Sequence, residues 1–475
     1  VRGKLILILI LLPGLAWAQN CNCADNFNFL VEKIKNNYVG YKDKVNESNQ
    51  KKFDLFTDSL RNIANSAEKM PCFDICTEWL TFFEDGHLSL SFTPGKATND
   101  EIKSFFNTAE KTSWNEHDFN SYLQRNKEKL DKIEGYWTYA AKSYKIGIVK
   151  DIAAGKNEFI GFIVNTTNPN WSKQQVKVRI KKIEDNYQTM YFRGGDHSKR
   201  VPLLLINKDT IDLGFFGKWY KSPFLENKEE AVKWVVDDIL PSFKILDKET
   251  NLLVLPSFSM KYKNQVDSII EVNTALLEKS KHLIIDIRKN SGGLTTTFEK
   301  LLPYIYTNPI YTSGASILAT ADNIKAWYNP DVPGVSEALK IKLKEKVRQM
   351  NAHVGELYLL YPPDSIVLAH FSKNPQRISI LFDRGSASAA EIMILNTRQS
   401  KKVTFFGQNS AGSIDYVEVL NIKIPCSYFS MLYPAVRYNS VDTHPLNNTG
   451  IAPDVIIPYD VPNWIEFVRK YKPSH

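Results

Sequence analysis

The chain has 475 residues, 43% of them hydrophobic and 24% charged, with a formal charge of +8. That length exceeds what one hydrophobic core supports and predicts two or three domains. The basic excess is spread along the chain, and runs such as Lys340-Ile341-Lys342-Leu343-Lys344 read as solvated helix faces, so nucleic acid is excluded as a partner.

In chain order, Arg2 and Lys4 precede an apolar run from Leu5 to Leu12 and a small-x-small site at Ala16-Trp17-Ala18. Residues 1–18 therefore read as a secretory signal peptide, too short to remain as a membrane span. No second long apolar run follows, so the expectation is a soluble protein, periplasmic or extracellular, with no membrane span after cleavage. The residues before Cys21 lack the small apolar box of a lipoprotein signal. Five cysteines group as Cys21 with Cys23, Cys72 with Cys76, and Cys426 alone. In an oxidising compartment this predicts a disulfide from the first pair to Cys72 or Cys76, with Cys426 unpaired. Zinc is the alternative, but no histidine stands near either pair at ligand spacing.

Residues 19–132 read as mostly helical, with Phe27, Leu30, Val31 and Ile34 at three- and four-residue intervals. Within them a helix ends near Phe83, Gly86 makes a turn and an alternating strand begins at Leu88. His87 is thus held at the turn, where a purely structural hydrogen bond is one role and chemistry another. Residues 133–225 change to a period of two and predict a β-rich domain, a small barrel or sandwich, with Trp137, Trp171 and Trp219 as core aromatics.

Residues 226–475 alternate strand and helix, which implies βαβ units and a largely parallel sheet. Leu252 to Leu255 is one strand, Val266 to Leu277 a helix, and His282 to Arg288 a buried strand. The last ends in Lys289-Asn290-Ser291-Gly292-Gly293, whose glycines permit an anion-binding turn, and a helix is expected from Leu294. A mostly helical insert over 313–374 precedes the apolar strand Arg377 to Asp383. Gly385-Ser386-Ala387-Ser388-Ala389-Ala390-Glu391 then turns into a helix. Ser386 sits where strand becomes helix, beside free N–H groups suited to an oxyanion, although Ser386 or Ser388 could simply cap the helix.

Asp85-Gly86-His87, Asp286 to Gly293, Gly385 to Glu391 and Gly450-Ile451-Ala452-Pro453-Asp454 occur in that order. Together they resemble the C-terminal-processing (tail-specific) serine protease family. They are most similar to its branch containing the tricorn protease core and the interphotoreceptor retinoid-binding protein repeats. The resemblance covers residues 228–460 plus the upstream Asp-Gly-His motif. It implies an α/β core of crotonase and Clp-protease ββα type, with the N-terminal helical region and the β-rich domain added to it. It also implies Ser386 as nucleophile, with the N–H groups of Ala387 and of Gly292 or Gly293 forming the oxyanion hole.

Tail-specific members place a lysine base after the turn that here reads Gly407 to Ser413. Ser413 holds that position, and no lysine occurs over 403–422. The tricorn-like branch uses a histidine instead, which maps to His87. In that branch a serine precedes the histidine and a glutamate holds that serine; here those positions are Gly86 and Asn447. The group orienting His87 is therefore open between Asn447, Asp415 and Glu418. The family's PDZ module has no counterpart here, so recognition of a substrate's C-terminal carboxylate is not expected. The implied activity is hydrolysis of peptide or protein substrates by a Ser–His pair without metal or cofactor. The alternative is a weak or inactive member that binds peptides or lipophilic ligands.

Overall fold

The computed structural model describes residues 22–475, apart from 68, 94, 96, 140–142, 185, 201–203, 214–215, 223–239, 328–336, 426–427, 459–460, 462 and 473–475. The expected signal segment, Cys21 and Cys426 lie outside the described residues. None of the described helices is long and apolar enough to cross a membrane.

Three large sheets organise the chain. The first has six strands in the order Ser242–Ile245, Thr250–Val254, His282–Asp286, Arg377–Phe382, Val403–Gly407 and Val455–Ile456. All neighbours are parallel except the first pair. Its central strands are apolar at nearly every position because both faces are covered. Leu253, Leu283, Ile285, Ile378 and Ile380 pack with the helices Lys263–Val272 and Ala389–Thr397. On the other face Leu252, Ile284, Leu381 and Phe406 meet Trp464 and Val468 of the helix Trp464–Lys470. After Gly293 the chain makes two short 3₁₀ turns, Thr295–Thr297 and Glu299–Leu301, rather than the expected helix from Leu294.

The second sheet brings distant segments together. Phe429–Tyr438 lies between Ser89–Phe92 and Ala315–Leu318, with Leu357–Tyr361 beyond and Tyr416–Lys423 also paired to it. The expected helical insert over 313–374 is thus a mixture: the helices Ala321–Trp327 and Glu337–Asn351 share it with strands of this sheet. Phe27, Leu30 and Ile34 of the helix Cys23–Asn37 share one core with Phe53, Phe73, Trp79, Ile317, Met431 and Tyr433. A disulfide joins Cys23 to Cys72, while Cys76, one turn further along its helix, is a buried free thiol. The pairing of Ser89 with Leu432 and Phe92 with Phe429 fixes the His87 turn against the C-terminal half of the chain.

The third sheet is one nine-stranded antiparallel sheet over residues 135–221. Its apolar side chains collect on one face around Trp137, Ile146, Val178 and Trp219, and on the other around Phe119 and Phe162. The Lys177 ammonium is buried on Trp171, Tyr144 and Tyr191, 3.9, 4.6 and 4.7 Å from their ring centres, and donates to the Phe192 carbonyl. Burial drives its pKa well below the usual lysine value. The aromatics here enclose the chain's own lysine.

Candidate active site

Strand Arg377–Phe382 ends at Asp383, whose carboxylate accepts from the N–H groups of Gly385 at 2.9 Å and Lys289 at 2.8 Å. Burial pushes the pKa of this carboxyl up, and the two N–H donors oppose that shift. The turn that follows ties two strand ends together. Ser386 is fully buried; its hydroxyl donates to the Ile287 carbonyl at 2.8 Å and accepts from the Asp383 N–H at 3.2 Å. The Ala387 N–H donates to the Asn290 carbonyl at 2.9 Å. Both groups expected to carry chemistry are therefore engaged in joining the strand ends of His282–Asp286 and Arg377–Phe382.

Two residues on, Ser388 has φ 54° and ψ −119° and stands at the N-cap of the helix Ala389–Thr397. A non-glycine residue in this region is strained, and such strain persists only where neighbours hold it. Glu391 does the holding. Its buried carboxylate accepts from the Ser388 and Ser413 N–H groups, each at 2.9 Å, on Oε2. Oε1 accepts from the Ser410 hydroxyl at 2.6 Å and the Gly412 N–H at 2.8 Å. Sequence reasoning missed this residue, although a serine followed three positions later by glutamate is a helix-start signature.

The Gly292–Gly293 turn lies directly over this corner. A Cβ on Gly292 would stand 2.9 Å from Ser388 Cβ and from the Ala389 nitrogen, so only glycine permits the approach. The Gly292 N–H is taken by the Asn290 side chain at 2.9 Å. Those of Gly293 and Ala389 donate to no group among the described residues.

His87 comes from the other core. Its Nδ1 lies 2.8 Å from the Tyr416 carbonyl oxygen, and because a carbonyl only accepts, Nδ1 carries the proton and Nε2 is left basic. The His87 N–H donates to Asp85 Oδ1 at 2.9 Å, and Tyr38 donates its hydroxyl to Oδ2 at 2.8 Å. Burial raises the Asp85 pKa, opposed by the neighbouring His87 and its backbone N–H. Glu84, at φ 45°, offers its carbonyl to the Asn447 and Asn448 side chains, the latter at 2.8 Å. Gly86 faces Ser413: a Cβ there would fall 2.8 Å from Ser413 Oγ. Through Ser413 the His87 turn abuts the corner that Glu391 builds around Ser388.

The three groups considered for orienting His87 have other partners. The Asn447 side-chain amide nitrogen holds the loop carbonyl of Glu84, and Asp415 accepts from the Leu446 and Asn447 N–H groups. Glu418, at φ 54°, neighbours Lys346 and has its pKa raised by burial. The orienting group is the backbone of Tyr416, which has no residue-type signature.

One Ser–His contact occurs in the parallel sheet, where His282 Nε2 lies 2.9 Å from Ser379 Oγ. Arg377 donates to His282 Nδ1 at 2.8 Å, so Nε2 holds the proton and donates to the serine. Burial lowers the His282 pKa to about 4, with the Arg377 charge acting in the same direction. This pair lacks a base and is buried.

Residues 250–457 match the model of peptidase family S41. No curated protein matches the chain. Similar solved structures include mature CPAF, at 12% identity and a TM-score of 0.48, covering 92% of this chain and 93% of that one. The photosystem II D1 C-terminal processing protease follows at 12% identity and 0.39, covering 92% and 94%. Tricorn protease stands at 12% and 0.38, covering 92% of this chain and 34% of its own. These likenesses are too loose to carry weight, whereas the family match spans the parallel sheet from Thr250 to Ile456 and contains the Gly292–Gly293 turn, Ser388 and Glu391. Over residues 250–457, somewhat less than half of its length, the chain is similar to peptidase family S41, and that match supports a serine peptidase.

Proposed function

We propose that Ser388, in place of Ser386, is the nucleophile of this peptidase and that His87 is its base. The observation that carries this is the Ser388 corner: a left-handed residue at a helix start, with the N–H groups of Ala389 and Gly293 unspent beside it. Peptide or protein is the substrate. Ser388 Oγ attacks the scissile carbonyl carbon as its proton passes to His87 Nε2, and the carbonyl oxygen becomes an oxyanion facing Ala389 and Gly293. The tetrahedral species collapses by breaking the C–N bond, and His87 returns the proton to the leaving amine. Water then attacks the acyl-serine by the same proton route and frees the acid. The Tyr416 carbonyl keeps Nδ1 protonated throughout, the role a carboxylate fills elsewhere.

Export to an oxidising compartment is part of the proposal. The Cys23–Cys72 disulfide and the charged and apolar start of the chain support it. The test is peptidase kinetics on Ser388→Ala, His87→Ala and the double variant. All three should lose activity to a similar extent, because a nucleophile and its base act as one unit. A His87→Ala enzyme that keeps most of its rate would mean that another group takes the proton.

A further inference from the structure

We propose that Met260 and Leu294 form an apolar subsite that makes this peptidase select substrates with a large hydrophobic side chain beside the scissile bond. The proposal rests on the assignment of Ser388 and of the Gly293 N–H. Leu294 directly follows Gly293, and its own N–H donates to the Phe258 carbonyl at 2.8 Å. The Phe258 N–H donates to the Gly292 carbonyl at 3.0 Å, and Phe258 and Gly293 form a parallel bridge. The segment leading to Met260 is thus laid along the oxyanion turn. Phe258 is fully buried beneath, whereas Leu294 is 39% and Met260 72% exposed.

Single exposed apolar side chains are common, but these two stand on the two segments that frame one oxyanion donor. A substrate whose carbonyl oxygen meets the Gly293 N–H has its neighbouring side chain within about one residue length, roughly 3.5 Å, of that frame. The nearby lysines are occupied. Lys289 Nζ lies 4.0 Å from Asp212 of the nine-stranded sheet, and Lys261 Nζ lies 4.4 Å above the Tyr262 ring. These two lysines are drawn toward Asp212 and the Tyr262 ring, and covering Met260 and Leu294 removes apolar surface from water.

The experiment compares kcat/KM for two peptides that differ only by Leu or Glu next to the cleaved bond, with each residue placed in turn on either side of it. On one side the wild-type enzyme should prefer Leu by at least about tenfold. Leu294→Lys and Met260→Lys, made separately, should each lower that ratio by favouring Glu, and Met260→Lys keeps the test open should Leu294→Lys not fold. A ratio near one on both sides, or a ratio that neither variant moves, overturns the subsite while fluorophosphonate labelling of Ser388 still stands. Failure of wild-type Ser388 to be labelled would overturn the catalytic assignment and the subsite with it.

Discussion

The two halves of the proposed site are held by different means. Ser388 belongs to the parallel-sheet half, where one buried carboxylate, Glu391, gathers four donors from two turns. His87 belongs to the helical half with its five-stranded sheet, where a backbone carbonyl orients the ring and the side chains of Asp85, Tyr38, Asn447 and Asn448 hold the turn. The lesson is that the first half concentrates its support in one side chain, whereas the second distributes it. Single substitutions among the supporting groups, Ser388 and His87 themselves apart, should therefore be severe on the Ser388 side and mild around His87.

The largest effect should come from the two serines. Ser388→Ala is expected to lower kcat/KM by about 10⁴-fold or more at unchanged stability. Ser386→Ala should do the reverse: it removes two buried hydrogen bonds, costs about 1–3 kcal/mol of stability and leaves the nucleophile in place. Denaturant melts paired with peptidase assays separate the two.

Glu391→Gln comes next. The amide offers one acceptor and presents an NH₂ to groups that are themselves donors, so about 3 kcal/mol of stability should be lost and the Ser388 corner loosened. A thermal melt reads this directly. On the other side, Asn447→Ala leaves Asn448 on the Glu84 carbonyl and should cost only about 1 kcal/mol, with a fewfold drop in kcat. Ser413→Ala should move stability by less than about 0.5 kcal/mol, since it is the Ser413 N–H, not the hydroxyl, that meets Glu391.

The halves also differ in how acid acts on them. His282 titrates near 4 when folded and about 6.5 when unfolded, so the unfolded chain binds more protons between those values. Its contribution, on the order of 2 kcal/mol, is complete above the upper pH and is lost as pH falls toward the lower one. Asp74, in the helix Lys69–Leu80, is pushed by burial from 3.8 to about 6, opposed by Lys199. Its folded form holds the proton longer, so stability falls as pH rises through that window. His282→Gln should flatten the acid limb, and Asp74→Asn should raise stability above pH 6 by about 2 kcal/mol. Melts across pH 4 to 8 check both.

Much of the parallel half was legible because strands buried on both faces are apolar throughout, as in Leu283 to Ile287 and Ile378 to Phe382. The strands within 313–374 were hidden because their partners lie far along the chain: Ala315 pairs with Tyr438. The proposal of Ser388 over Ser386 rests on φ, which composition does not reveal. The Ser388-to-Glu391 spacing was the available clue that the helix, and so its first free N–H groups, begins after the second serine. The Tyr416 carbonyl could not have been found, since every residue has one.

The most direct measurement is the position of a covalent fluorophosphonate adduct. Trypsin cleavage after Arg384 and Arg398 releases residues 385–398 as one peptide that contains both serines, and fragmentation tells them apart. The phosphonate mass should sit on Ser388. Its appearance on Ser386 instead would contradict the account, for that hydroxyl would have had to leave the Ile287 carbonyl and the core to react.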